Sequence, residues 1–187
     1  MLSTLEASDF IECYKPFENN KRHLLYRLSD PFCRFYLTQV DGKMREEHFW
    51  QNNENLPALG PWRGQAFEDA CLGHIEQVKR ALNIGGVASE NSAWALQGTE
   101  NQKGMQIDLV IDRKDRVLNL CEMKFVSDEF AVNADYEQVL RGRLSWMTGH
   151  VSKRHNVQMT LITTFGLKQG LHSGIFQKVV LLDALFE

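Results

Sequence analysis

The sequence lacks the features that mark several protein classes. No apolar run approaches the roughly 20 residues that cross a bilayer, and the first residues carry neither the basic region nor the apolar region of a secretory signal. We therefore expect a cytoplasmic protein with no membrane partner. The four cysteines are widely spaced and form no C-x-x-C pair: Cys13, Cys33, Cys71 and Cys121. This spacing predicts reduced, mostly buried thiols rather than a zinc or redox site.

Several catalytic motifs are also missing. The chain contains no H-E-x-x-H, no G-x-S-x-G and no G-x-x-x-x-G-K-[ST], which argues against a histidine-based zinc site, a serine-hydrolase elbow and a nucleotide-binding P-loop. The net charge is -3, whereas nucleic-acid binders usually show an excess of basic residues. Three basic patches could contact phosphates or could be solvated faces: Arg113–Arg116, Arg141–Arg143 and Lys153–His155.

The length and composition predict one well-packed domain with an appendage. The chain has 187 residues, of which 43% are hydrophobic, and this is too short for two domains of ordinary size. We predict the main domain over residues 56–187 and the appendage over residues 1–55. The polar segment Gln51–Pro61 is the predicted linker, with Trp50 and Trp62 as flanking packing anchors.

The appendage has the pattern of a helix, a hairpin and a second helix. A lone hairpin buries too little surface to be stable, so we expect it to pack on the remainder, on another copy or on a partner. The predicted elements are a helix end over Leu2–Ser8, strands Phe10–Phe17 and His23–Ser29 around a turn at Glu18–Lys21, and a helix Pro31–Val40 capped by Asp30.

The stretch Gln106–Phe125 predicts two strands around a turn at Arg113–Arg116. If Asp112 pairs with Val117 or Leu118, Asp108 lies beside or directly opposite Glu122. Like charges facing each other across strands are destabilising, so a positive group is needed between them. Lys124, on the same face, is one candidate, and a divalent cation with oxygen ligands is the other.

A predicted helix, Gly64–Leu82, places a third carboxylate on its apolar side. Glu68 falls inside the stripe of apolar side chains, where a carboxylate needs a partner; the alternative is a Glu at the stripe edge that reaches water. Asp69 and Glu76 are expected to project into solvent. The stripe itself is Phe67, Cys71, Leu72, Ile75, Val78 and Leu82.

Asp108 followed by Glu122-Met123-Lys124 resembles the PD-(D/E)xK nuclease motif, with Ile107-Asp108 in place of Pro-Asp. The resemblance implies that Glu68, Asp108 and Glu122, helped by the backbone carbonyl of Met123, hold Mg²⁺ (or Mn²⁺). Lys124 would orient or deprotonate the attacking water, and the reaction would be phosphodiester hydrolysis. For the motif by itself, an exposed hairpin edge with solvated charges is the alternative.

Two further residues have weaker predicted roles. Asp112 is a possible outer ligand, although capping the turn is its expected role. Tyr136 lies where some relatives place a helical residue near the site, as does Gln138, but ordinary helix surface is the expected role of both.

With the remaining elements, the predicted order in the main domain is a helix, three strands, a helix and two strands. This order resembles the nuclease-superfamily core, so the predicted fold class is α/β (an α+β mixed sheet), restriction-endonuclease-like, with helices on both faces. The elements are a strand Ser92–Gln97, a turn Gly98–Gly104, the central hairpin, a helix Asn133–His150 and strands Asn156–Phe165 and Lys178–Leu182. Tyr136, Val139, Leu140, Leu144 and Met147 form the apolar spacing of the second helix.

The whole chain also resembles the C-terminal region of the archaeal-type AAA ATPases, in which an ATPase module precedes a winged helix and a PD-(D/E)xK-like domain. The blocks that carry this resemblance are L-x-x-L-E-x-S-x-F-I, LYRLSDPF, GQAFE and IDLVIDR with LCEMKF. The resemblance implies that residues 1–55 are a partial winged helix and that an ATPase is a partner chain. We expect a gene fragment, the product of a split gene or a truncated form.

Two functions stay open at this point. The first is a magnesium-dependent nuclease acting on DNA, partnered with or derived from an ATPase, and the complete Glu, Asp, Glu and Lys set favours it. The second is a catalytically silent interaction or regulatory module, favoured by the weak basic bias and the absent ATPase. An exposed apolar face on residues 1–55 would favour a homo-oligomer.

Overall fold

The computed structural model describes residues 1–14, 16–17, 24–41, 47–53, 56–96 and 104–187. Its helices are α1 Leu2–Ala7, α2 Pro31–Phe35, α3 Phe49–Asn53, α4 Gly60–Gly73, α5 Ile75–Ala81 and α6 Ala134–His150. Its strands are β1 Ile11–Tyr14, β2 Leu25–Leu28, β3 Ser89–Leu96, β4 Met105–Arg113, β5 Val117–Lys124, β6 Asn156–Thr163 and β7 Phe176–Leu181. A π-helical turn covers Tyr36–Val40, and 3₁₀ turns cover Pro57–Leu59, Ser173–Ile175 and Leu182–Phe186.

The main sheet is mixed, as predicted, and its strand order is β3-β4-β5-β6-β7. The first three strands pair in an antiparallel manner. A tight turn, in which Arg116 adopts a φ of 69°, joins β4 to β5. From β5 to β7 the pairing is parallel. A parallel neighbour needs a long crossover, and α6 supplies the one between β5 and β6.

Helices cover both faces of this sheet, also as predicted, and each face has its own buried core. On one face, α4 and α5 pack on the sheet through Phe67, Cys71, Val78, Leu109, Ile111, Cys121 and Met123, with others. On the opposite face, α6 packs through Leu140 and Met147 against Val110, Leu118, Leu120, Met159 and Leu161. The hairpin β4–β5 is buried from both sides, so its polar side chains are the ones that demand an explanation.

The predicted helix Gly64–Leu82 was wrong in extent, because two helices replace it. The first begins four residues earlier, with Pro61 in its first turn, a position that suits proline. The break falls at His74, whose φ and ψ are -118° and 32°. The described part of the predicted linker is mostly helical and anchored by the buried Leu59, while Trp62 packs edge-on against Phe35. The side chain of Trp50 lies outside the described part.

Most other boundaries agree within three residues. Asn133 caps α6 by accepting a hydrogen bond from the Tyr136 backbone N–H at 2.8 Å. Val139 was wrongly placed in the apolar stripe of that helix, since 41% of its surface is exposed. The strand predicted from Ser92 begins at Ser89, and the predicted turn that follows lies almost entirely outside the described residues.

The N-terminal segment has the predicted order of helix, hairpin and helix. Ile11 pairs with Leu28 across the antiparallel hairpin, and Asp30 accepts the backbone N–H of Phe32 at 2.8 Å. After Phe35 the second helix continues as a π-helical turn rather than an α-helix. The predicted turn Glu18–Lys21 lies outside the described residues, and the winged-helix interpretation stays a prediction.

The hairpin packs on the main domain, which confirms one of the three predicted packing modes. Pro16 forms a parallel bridge with Ala93 of β3, and the Phe17 N–H donates to the Ala93 carbonyl at 2.9 Å. On the other side, Arg34 Nε lies 2.8 Å from the Asp69 carboxylate on α4. The N-terminal segment is therefore held at two points, one on the sheet and one on the first core helix.

The cysteines are free thiols, as predicted. Cys71 and Cys121 are buried in the core, and burial raises the pKa of the Cys71 thiol to about 12. Within the described part of the chain, none of the helices combines the length and the apolar character needed to cross a membrane.

Candidate active site

The β4–β5 hairpin brings Asp108 and Glu122 together, as one of the two predicted registers requires. Asp112 pairs with Leu118 and Leu109 pairs with Cys121, so Asp108 and Glu122 each lie next to the last of these pairs. The Asp108 side chain accepts a hydrogen bond from the backbone N–H of Met123 at 3.0 Å. This bond locks the aspartate across the strand pair next to the second carboxylate.

Glu122 is almost completely buried, with 2% of its surface exposed, and it is surrounded by donors. Lys124 Nζ lies 2.8 Å from Glu122 Oε1, which confirms the prediction that a positive group accompanies the two acids. Arg143 forms an ion pair with Oε2, and the Tyr136 hydroxyl donates to Oε1. The last two residues both come from α6, seven positions apart and therefore on one side of the helix.

Arg143 is the site residue that the sequence interpretation missed, because it was assigned to a surface patch for phosphates. Its side chain is 16% exposed and points inward to Glu122. The spacing from Tyr136 was an available signal, since both lie on the α6 stripe that faces the sheet. Tyr136 itself does contact the site, whereas Gln138 is exposed, as its expected surface role requires.

Glu68 reaches the same site from α4 and is half-buried. Burial, followed by repulsion from Asp108, raises the pKa of Glu68 to about 7. Burial and the neighbouring Glu122 raise the pKa of Asp108 to about 6, although the Met123 N–H opposes the shift. The three predicted carboxylates are therefore close enough to destabilise one another's charged forms.

Asp69, the next residue on α4, was wrongly expected to be solvated. Its side chain is 10% exposed and pairs with Arg34 from the N-terminal segment. Sequence periodicity within the main domain could not show this, because the surface that covers Asp69 comes from a distant part of the chain. Glu76 is exposed, as predicted.

The charge state of Lys124 follows from its neighbours. Burial alone would lower the pKa of the Lys124 ammonium, but the Glu122 carboxylate outweighs burial and raises it. The same carboxylate and burial raise the pKa of the Tyr136 hydroxyl. Lys124 is therefore a cation at neutral pH, and its Nζ also lies 5.5 Å from the centre of the Tyr136 ring.

The donor chemistry of the site suits a hard divalent cation, although the carboxylates are not gathered around a common point. In the described residues, no group of three or more His, Cys, Asp or Glu side chains is placed to hold a metal. Both oxygens of Glu122 are engaged by Lys124, Tyr136 and Arg143. Carboxylate oxygens are the ligands that Mg²⁺ prefers, and a cation between Glu68 and Asp108 would relieve their mutual repulsion, so the donor types suit Mg²⁺ although their positions do not gather it.

Asp112 lies at the other end of the same strand face, about 13 Å from Asp108 along an extended strand. Its carboxylate is 3.9 Å from His155 Nε2 and about one-third exposed. It lines a separate cleft of about 570 Å³ together with Glu90 and Phe17. The distance along β4 excludes a shared ion with Asp108, so the predicted outer-ligand role was wrong.

The predicted phosphate patches are largely paired within the protein. Arg113 donates to Asp115 from Nε at 3.0 Å, and Arg141 donates to Glu137 from Nε at 2.8 Å. Arg143, also of the second patch, is bound to Glu122. In the third patch, Lys153 and Arg154 are exposed cations.

A larger cleft of about 750 Å³ leads to the site. Its floor and one wall contain Glu68, Asp69 and Asp108 of the main domain. The opposite wall is the N-terminal hairpin, which contributes Glu12, Cys13, Tyr14, Tyr26, Arg27 and Leu28. Two of the three candidate carboxylates, Glu68 and Asp108, thus line a cleft that two regions of the chain build together.

Comparison with known proteins gives little beyond this geometry. No protein-family model matches the chain, and no curated protein matches it. A crystal structure of a protein of unknown function, AF1548, is similar with a TM-score of 0.39 and 18% identity. The match covers 62% of this chain and 64% of that chain, which is less than two thirds of its length.

Proposed function

We propose that this protein is a metal-dependent nuclease that hydrolyses phosphodiester bonds of DNA in the cytoplasm. The observation that carries the proposal is the β4–β5 hairpin, which holds Asp108 on the Met123 N–H beside a buried Glu122, with Lys124 Nζ at 2.8 Å from the Glu122 carboxylate. Burying Glu122, with Asp108 and Lys124 partly buried beside it, is costly without a functional return. Buried, charge-coupled groups beside a cleft are typical of active sites.

The metal assignment rests on the donor set. Glu68, Asp108 and Glu122, with the Met123 carbonyl, would hold Mg²⁺ or Mn²⁺, which when bound polarises a phosphate oxygen and lowers the pKa of a water. Arg143 and Tyr136 hold Glu122 in place from α6. Their contacts fix the orientation of the Glu122 carboxylate.

The raised pKa of Lys124 supports one of its two predicted roles. An ammonium that stays protonated cannot take a proton from water, so deprotonation of the nucleophile by Lys124 is disfavoured. Lys124 instead orients the attacking water and offsets the negative charge that grows on the phosphate in the transition state. Of the carboxylates, Asp108 stays hydrogen-bonded to the Met123 N–H and keeps its orientation.

We further propose that the nuclease acts as the C-terminal part of, or partner to, an AAA-type ATPase carried on another chain. The sequence blocks that resemble that family support this, as does the order of helix, hairpin and helix in the N-terminal segment. One observation favours the alternative of a catalytically silent regulatory module. Both oxygens of Glu122 are already satisfied by protein donors, an arrangement that a purely structural site would also have.

DNA cleavage in Mg²⁺ and Mn²⁺ tests the proposal directly. Labelled plasmid and labelled single-stranded DNA are incubated with the parent protein, Glu122→Gln, Lys124→Ala and the control Lys114→Ala. Lys114 is an exposed lysine at the hairpin turn, paired with Glu90. We expect metal-dependent cutting that EDTA stops, that Glu122→Gln and Lys124→Ala lower by about 100-fold or more, and that Lys114→Ala leaves unchanged. Cutting that survives both site variants would show a contaminant, and no cutting at all would favour the silent module.

A further inference from the structure

The main sheet is irregular at the candidate site, because β4 carries a β-bulge at Asp108 and Leu109. These two residues of β4 face a single residue of β3, Ala93. The pairs on either side of the bulge are Ser92 with Val110 and Trp94 with Ile107. A bulge bends its strand and changes the direction of the side chains in it. The direction in which Asp108 leaves β4 therefore depends on how Ala93 is held.

The packing of β4 shows the same interruption. Residues two apart in a regular strand share one face, but Ile107 belongs to the core on the α6 side and Leu109 to the core on the α4 side. Next to the pair Leu109–Cys121, the Asp108 carboxylate accepts the Met123 backbone N–H at 3.0 Å. At the bulge, a side-chain contact to β5 thus holds the aspartate.

The N-terminal segment grips the residue opposite the bulge. Pro16 forms a parallel bridge with Ala93, and the Phe17 N–H donates to the Ala93 carbonyl at 2.9 Å. Because β3 is an edge strand of the main sheet, this contact lies on the side of β3 that faces away from β4. The segment therefore holds the bulge from outside the sheet.

A second contact of the same segment holds the turn of α4 that carries Glu68. Arg34 Nε lies 2.8 Å from the carboxylate of Asp69, the next residue of the helix, which is 10% exposed. Arg34 Nη2 also donates to the Leu28 carbonyl of β2 at 2.9 Å. A buried ion pair that loses one partner is strongly destabilising, so this contact fixes α4 against the N-terminal segment.

Both contacts thus fall beside the carboxylates that line the larger cleft. Ala93 faces Asp108 at the bulge, and Asp69 adjoins Glu68 in α4. Carboxylates that repel each other keep their positions only when their surroundings hold them. In metal sites, loss of such an outer contact weakens metal binding by about 10- to 100-fold.

We infer that the N-terminal segment is a positioning element of the candidate active site. Phe17 positions Asp108 through the bulge. Arg34 positions Glu68 through α4. The inference rests on the proposed nuclease function for what the carboxylates do, but not for how they are held. Release of the segment from the main domain would therefore weaken the site without removing any of its carboxylates.

Two measurements keep this inference separate from the proposed function. The first is the hydrogen-exchange protection of the Met123 amide, measured by NMR on the metal-free protein and compared with the amides of β6. It follows the contact of that amide with Asp108. The second is the affinity for Mn²⁺, measured by titration calorimetry, which depends on the positions of both cleft carboxylates.

The variants remove each contact and then restore its chemistry. Phe17→Pro removes the N–H that Ala93 accepts, and Phe17→Leu keeps it. Arg34→Met removes the charge beside Asp69, and Arg34→Lys keeps it. Arg80→Met is the control, because Arg80 joins α5 to the Glu187 carbonyl at 2.7 Å and lies outside the larger cleft. Circular dichroism checks that each variant is folded.

We expect Phe17→Pro to lower the protection of the Met123 amide about tenfold relative to β6, the effect of one hydrogen bond to a charged acceptor. Phe17→Leu should retain the protection of the parent protein. Arg34→Met should weaken Mn²⁺ binding about tenfold, and Arg34→Lys should restore most of the affinity. Arg80→Met should change neither quantity.

Unchanged Met123 protection in Phe17→Pro would overturn the inference, and so would unchanged Mn²⁺ affinity in Arg34→Met or an equal loss in Arg80→Met. If Phe17→Pro does not fold, Arg34→Met and its lysine counterpart decide the question. A parent protein that binds no Mn²⁺ would reject the proposed metal site, and the Met123 amide would then decide the positioning inference alone.

Discussion

The two ends of the β4–β5 hairpin carry the same residue type in different surroundings. Asp108, at one end, lies beside the buried Glu122 and Lys124 and accepts the Met123 N–H. Asp112, four residues along the same strand, is about one-third exposed, with His155 at 3.9 Å. The strand, the face and the side chain are the same, so burial and neighbours account for the difference.

At the buried end, burial changes the chemistry of the aspartate. The pKa of Asp108 rises to about 6 because burial and Glu122 disfavour its charged form, whereas solvent reaches the carboxylate at the open end. The site therefore forms where the β4–β5 hairpin is covered by residues of both α6 and α4. The buried end is expected to respond strongly to substitution and the open end weakly.

The largest expected effect is on cleavage by paired aspartate variants. Asp108→Asn should reduce DNA cleavage by about 10³-fold, equal to about 4 kcal/mol of transition-state stabilisation, because one carboxylate ligand is lost. Asp112→Asn should cleave within about twofold of the parent protein. Single-turnover rates in Mg²⁺ measure both. Similar losses in the two variants would remove the distinction between the ends of the hairpin.

A second test concerns the arginines of α6 and measures stability rather than activity. Arg143→Ala leaves the buried Glu122 without one of its charged partners, and we expect it to lower the free energy of unfolding by about 3 kcal/mol. Arg141→Ala removes an exposed pair with Glu137 and should cost only a small fraction of that loss. Urea denaturation of both variants makes the comparison. A small effect for Arg143→Ala would show that Lys124 and Tyr136 satisfy Glu122 alone.

Glu68 makes the stability of the buried end depend on pH. Its pKa is raised to about 7 in the folded protein, so its protonated form is favoured in the folded state, and the associated stability is lost as pH rises from about 4.5 through about 7. Glu68→Gln should therefore stabilise the metal-free protein by about 1 kcal/mol at pH 8, after allowance for solvent screening of a half-buried group. At pH 5, close to the ordinary pKa of a glutamate, only about a quarter of this difference should remain.

Thermal unfolding in EDTA at both pH values measures this effect. The exposed Glu129→Gln is the control and should show no pH-dependent difference. Equal stabilisation of Glu68→Gln at pH 5 and pH 8 would indicate a packing effect rather than a charge effect.

The smallest expected effect is at the hairpin turn. Lys114 forms an exposed ion pair with Glu90, and such pairs contribute little because solvent screens them. Lys114→Ala should shift the melting temperature by less than about 1 °C in physiological salt. A clear loss would mean that the open end is more tightly organised than its exposure indicates.

Local sequence patterns predicted the elements of the main domain better than their junctions. Alternation over Gln106–Phe125 predicted the hairpin but left two registers open, and Asn133 predicted the start of α6. The break at His74 carries no proline and interrupts a continuous apolar stripe, so periodicity alone suggested one helix. The wrong assignment of Asp69 to solvent has a different origin, since its partner Arg34 lies 35 residues away in the chain.

By itself, the sequence determined the mixed α/β fold and placed Asp108, Glu122 and Lys124 on one face of one hairpin, because strand alternation and a short turn leave few registers. Only the tertiary structure decided that Arg143 and Tyr136 hold Glu122, and that the N-terminal hairpin covers the approach to the carboxylates. These contacts join residues from separate elements. Their existence depends on how helices and hairpin pack on the sheet, which no local pattern of side chains specifies.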